Sequence, residues 1–73
     1  MKISKYEYTM ELLAAMTASV IAKHHNISEI DAFDRFMQTE TANMLFDDEL
    51  TFWWNGPDYI ANEYEQELAS KNP

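Results

Sequence analysis

The chain has 73 residues, no cysteine, 47 % apolar residues and ten aromatics. That composition excludes ordinary disorder, a disulfide and a thiolate metal site. Its length allows one small domain, whose core rarely supplies more than ~3–5 kcal/mol. Thirteen acids oppose five Lys and Arg, a net −8, and residues 29–67 alone carry eleven acids against Arg35. Such a field repels nucleic acid and anionic lipid and steers basic proteins inward.

The first element opens at "SKYE", where Ser4 and Glu7 make a capping box. Met10, Leu13, Met16, Val20 and Ile21 then recur at three- and four-residue spacing, with Leu12 at the edge, and predict a buried stripe on a long helix. Lys2 and Lys5 ahead of "LLAAMTASVIA" imitate an export signal, but Glu7 and Glu11 interrupt it, and the apolar run is well under the ~20 residues a membrane span needs. The expectation is therefore a cytoplasmic protein with no membrane association. "KHHN" closes the helix: Lys23, His24 and His25 suit the negative end of its dipole, and Asn26 suits a left-handed stop.

"NISEID" starts a second helix, with Ser28 as cap and Asp31 at the third position. Ile30, Phe33, Phe36 and Met37 are its expected buried stripe, and Asp31 can pair with Arg35 four residues on. Thr39 or Thr41 caps a third helix through "ANMLFDDELTFWW", with Ala42, Phe46, Leu50 and Trp53 inward, Leu45 and Trp54 flanking, and a kink near Asp47 and Asp48. Asn55 and Gly56 stop it, and Pro57 suits the first turn of a fourth helix that turns Ile60, Ala61, Tyr64 and Leu68 to one side. The fold class expected is all-α, a compact bundle of about four short helices forming a single domain over residues 1–73.

Few residues point to chemistry. His24 and His25 are neighbours about 100° apart on a helix and cannot chelate one ion together. Asp47-Asp48-Glu49 lacks the alternation and mid-loop glycine of a calcium loop. One glycine cannot build a phosphate cradle, no serine sits in a nucleophile elbow, and one arginine cannot neutralise a phosphate backbone. No enzyme, cofactor, metal site or direct nucleic-acid binding is expected.

Interaction residues are more evident. Phe52, Trp53 and Trp54 span about 200° of a helix, wider than one buried stripe of ~100–140°. Trp53 fits the stripe, and Phe52 or Trp54 lies at its margin. Trp54 either covers the core edge beside Tyr59 or serves as a hydrophobic anchor for a partner. Glu63, Glu65 and Glu67 crowd the C-terminal half of the last helix against its dipole, and Glu63 repels Glu67, which a basic partner would relieve. The expected contact set is Trp53, Trp54, Tyr59 and Tyr64, with the acids Asp47, Asp48, Glu49, Glu63 and Glu67.

The layout resembles a family of short, uncharacterised bacterial helical proteins, some encoded beside toxin-like genes. The resemblance rests on "ASVIAKHHNISEIDAFDRF", "MLFDDEL" and "PDYIANEYEQEL", while "FWWNGP" departs from the family's middle helix. It implies a small antitoxin-like or inhibitory regulator and carries over no catalytic residue. The function expected is binding of another protein with a basic surface. The alternatives are a structural homodimer whose aromatic surface meets its own copy, or a nucleic-acid-mimicking inhibitor from a mobile element.

Overall fold

The computed structural model describes residues 5–47 and 52–71 and, within them, the side chains of all but Lys5, Tyr6 and Trp53. It is a bundle of four helices: α1 (Lys5–His25), α2 (Glu29–Met37), α3 (Glu40–Leu45) and α4 (Pro57–Lys71), with a 3-10 turn at Phe52–Trp54 before α4. No strand occurs among the described residues. The expected caps at Ser4 and the inward placement of Leu50 and Trp53 lie outside what is described.

Local chemistry sets the helix ends where the sequence implies. Asn26 takes φ 56°, and the Ile27 N–H donates to the Ala22 carbonyl at 3.0 Å, so α1 closes in a Schellman turn. Ser28 Oγ accepts the Asp31 N–H at 3.1 Å and starts α2. Thr39, not Thr41, caps α3: its hydroxyl accepts the Ala42 N–H at 3.2 Å and donates to the Phe36 carbonyl at 2.6 Å. Gly56 acts as the entry to α4 instead of a left-handed stop, since its φ is not positive and its carbonyl accepts the Ile60 N–H at 3.1 Å. Pro57 then occupies the first helical position, where its missing N–H costs nothing.

α3 is the shortest helix. It stops at Leu45, and the turn through Phe46 replaces the long third helix expected from the sequence. Three consecutive acids follow, which oppose the negative end of a helix dipole. Leu45 therefore lies in the core and Phe46 at its edge, the reverse of the expected order.

The core joins all four helices. Phe36, Ile21, Leu45, Ile60 and Tyr64 fill it, and the Phe36 and Tyr64 rings lie 6.1 Å apart between α2 and α4. Alanines line the close approaches: Ala14, Ala18 and Ala22 on α1, Ala32 on α2, Ala42 on α3 and Ala61 on α4. A small side chain at the contact lets two helices approach toward the ~8 Å end of the interaxial range. This changes the phase of two helices. On α1 the buried line runs Met10, Ala14, Thr17, Ala18 and Ile21, leaving Leu13 and Val20 half-buried and Met16 exposed. On α2 only Ala32 and Phe36 are buried, so Ile30, Phe33 and Met37 of the expected stripe face outward. The expected Asp31–Arg35 pair does not form. α4 keeps its expected face, with Ile60, Ala61 and Tyr64 buried and Leu68 packed beside them.

Candidate interaction site

The corner between α3 and α4 is built by one asparagine. Asn55 donates from its backbone N–H at 3.1 Å and its side-chain amide at 3.0 Å to the Phe52 carbonyl, which closes the 3-10 turn. Phe52 is half-buried and meets Tyr59 edge-on, ring centroids 6.0 Å apart. Phe52, not Trp54, thereby covers the margin of the core beside Tyr59. Trp54 is 75 % exposed and Tyr59 49 % exposed. Asp47 and Asp58 are exposed on the segments that flank the turn, while Asp48 and Glu49 lie outside the described residues.

The acids of α4 separate into different roles. Glu67 reaches across to α3, where its carboxylate accepts the Thr41 hydroxyl at 2.6 Å, the Thr41 N–H at 2.8 Å and the Glu40 N–H at 3.1 Å. Lys71 adds a bond at 3.0 Å from the next turn of α4. Burial works against the charge, but the hydrogen bonds from Thr41, Lys71 and Glu40 outweigh it and hold the Glu67 carboxyl down at about 2. Thr41 and Glu40 supply first-turn amides of α3, so Glu67 serves as a cap donated by a distant helix. Glu65 binds His25 Nε2, at 2.7 and 2.9 Å to its two oxygens, and ties the end of α1 to α4. Glu63 remains half-buried and, with Glu40 and Met44, lines a shallow groove of about 280 Å³ between α3 and α4.

The expected contact set therefore divides. Trp54, Tyr59, Asp47 and Glu63 present surface around the α3–α4 side of the molecule. Tyr64 is 3 % exposed and belongs to the core, where burial, then the Glu65 charge, pushes its phenol upward. It cannot contact a partner without unpacking Phe36. Glu67 is likewise engaged inside the fold, and its presumed repulsion with Glu63 is replaced by bonds to α3. A long-range cap of this kind leaves no mark in local sequence, because its partners are 26 and 27 residues away.

Sequence reasoning overlooked a second surface. Tyr8, Leu12 and Met16 on α1, and Ile30, Phe33 and Met37 on α2, are all exposed. Periodicity alone does not distinguish which of two apolar sides faces inward, so the apolar pattern assigns Met16, Ile30, Phe33 and Met37 to the buried stripes and leaves Tyr8 without a role. The available signal was the alanine series, which marks the closer-packed side.

His24 lines a cleft of about 180 Å³ between α1 and α4 with Asp58, Asn62 and Glu65. Among the described residues no group of three His, Asp or Glu is arranged to hold a metal ion. No helix of the described residues is long and apolar enough to cross a membrane.

Comparison with known proteins returns no match. Neither a family model, nor a curated protein, nor a solved structure is significantly similar to this chain.

Proposed function

We propose that the protein is a non-enzymatic interaction module, an antitoxin-like or inhibitory regulator that holds a basic partner protein at the α3–α4 corner. One observation carries this reading: Trp54 is 75 % exposed on an Asn55-braced turn whose Phe52 meets the half-exposed Tyr59. Aromatics held rigid at a surface bury large area at little entropic cost, which is why Trp and Tyr dominate binding hot spots. The surroundings suit a basic partner, because residues 39–73 hold eight acids against Lys71, a net −7. Glu40 and Glu63 over Met44 offer a slot for the aliphatic stem and charged head of a Lys or Arg. Carboxylates would steer the encounter, and the aromatics would set its lifetime.

The nucleic-acid-mimic alternative draws less support, since Glu65 and Glu67 are engaged within the fold and offer no free array of charges. The test is affinity capture from the native host with the wild-type chain, Trp54→Ala and Glu63→Lys. A basic protein retained in stoichiometric amount by the wild type, weakened by either substitution and by salt, is the expected outcome. Equal retention by all three chains refutes the corner as the contact site. Retention of nothing refutes the reading itself.

A further inference from the structure

Six exposed apolar side chains sit on α1 and α2, none of them among the corner residues. Tyr8, Leu12 and Ala15 follow one another at four- and three-residue spacing, so they share one flank of α1, with Met16 beside them. Ile30, Phe33 and Met37 are spaced by three and four on α2. Ala15 and Ala18 face Ile30 and Phe33 across a groove of about 220 Å³, closed at one end by Glu29, which accepts a hydrogen bond from Ser19 at 3.4 Å. Ile30, at its rim, is 83 % exposed, and Tyr8 is 63 % exposed. At these exposures the face leaves roughly 600 Å² of apolar side chain open, the upper end for the largest patch on a monomer.

We propose that this face is a dimer interface, covered by the same face of a second copy of the chain related by a twofold axis. Two facts on the molecule select that occupant. The first is charge. Residues 5–38 carry three Lys and Arg against five acids, a net −2, whereas residues 39–73 carry −7. A basic partner is drawn toward the second segment, while the nearly neutral α1–α2 face opposes a copy of itself with little repulsion. The second is area. Each copy exposes roughly 600 Å² on these six residues, so covering them on both copies buries at most about 1,200 Å², where specific interfaces begin. Two hairpins packed face to face bury both α1–α2 grooves, the arrangement of a four-helix layer. The chain's small core makes such help physically useful, because association is one of the few sources of stability open to a domain of this length. The proposal goes beyond the corner reading and does not depend on it: none of the six exposed residues of this face belongs to the Phe52–Trp54 turn or to α4.

Sedimentation equilibrium of the wild type, Leu12→Glu, Ile30→Glu and Trp54→Ala, from roughly 1 to 500 µM, tests it. Leu12 and Ile30 are exposed, so both glutamate variants keep the fold, which circular dichroism checks. The wild type is expected at twice its 8.6 kDa chain mass at the upper concentrations, dissociating on dilution and persisting in high salt. Each glutamate variant raises the dissociation constant at least tenfold, while Trp54→Ala leaves it within twofold. A wild type that stays monomeric throughout overturns the proposal. So does a dimer indifferent to Leu12→Glu and Ile30→Glu, or one abolished by Trp54→Ala. Failure to capture a partner protein leaves these outcomes untouched, so the two readings fail separately.

Discussion

Replacing Glu67 by glutamine removes one charge from the place where α4 holds α3. The wild-type carboxylate takes three bonds from Glu40 and Thr41 and one from Lys71, and its side chain is only 12 % exposed. Its carboxyl lies at about 2 in the fold against an ordinary 4.5. At 1.36 kcal/mol per unit, this corresponds to about 3 kcal/mol in favour of the folded state at neutral pH. The sign follows from proton binding: between 4.5 and 2 the unfolded chain binds the proton more tightly, so stability rises with pH across that window. The contribution is whole above about pH 5 and disappears as pH falls through 2.

Glutamine keeps one acceptor oxygen but turns an NH₂ group toward amide donors, so Glu67→Gln should cost about 2–3 kcal/mol at neutral pH. A core of this length rarely supplies more than ~3–5 kcal/mol, which makes that loss a large share of the whole. The melting temperature should fall by roughly 10–20 °C. Urea and thermal unfolding followed by far-UV circular dichroism, at pH values from neutral to about 2, measure both quantities. The gap between the two chains should close as pH approaches 2, because the wild-type carboxyl is then also neutral. A gap below about 0.5 kcal/mol at neutral pH, or one that does not narrow in acid, refutes the capping role.

Two further outcomes probe the core and the helix phases. Thr17 is fully buried, and among the described residues its hydroxyl has no hydrogen-bond partner, so Thr17→Val should stabilise the fold by about 1 kcal/mol through relief of an unmet polar group. Destabilisation in urea titration would show that the hydroxyl is satisfied in solution. Phe36→Ala should cost about 3–5 kcal/mol, whereas Ile30→Ala should fall within about 0.5 kcal/mol, although both lie on the apolar pattern of one short helix. Comparable losses from the two would mean that α2 is rotated from the phase described.

The sequence by itself determined the all-α class and most helix ends. Asn26 at a left-handed stop, Ser28 over Asp31 and Pro57 in a first turn each act within a few residues of themselves, so their consequences are written locally. It also determined the inward side of α4, where one apolar stripe has no competitor. Tertiary structure decided the phases of α1 and α2. Each helix carries two apolar sides, and packing buries the small side at Ala14, Ala18 and Ala32 and leaves Ile30, Phe33 and Met16 outside. The start of α3 also depends on the fold, because its first turn is completed by Glu67 from α4. Tyr64 and Glu67 had looked like contact residues for the same reason. Whether a side chain meets a partner or its own core depends on groups far along the chain, and only packing brings those groups together.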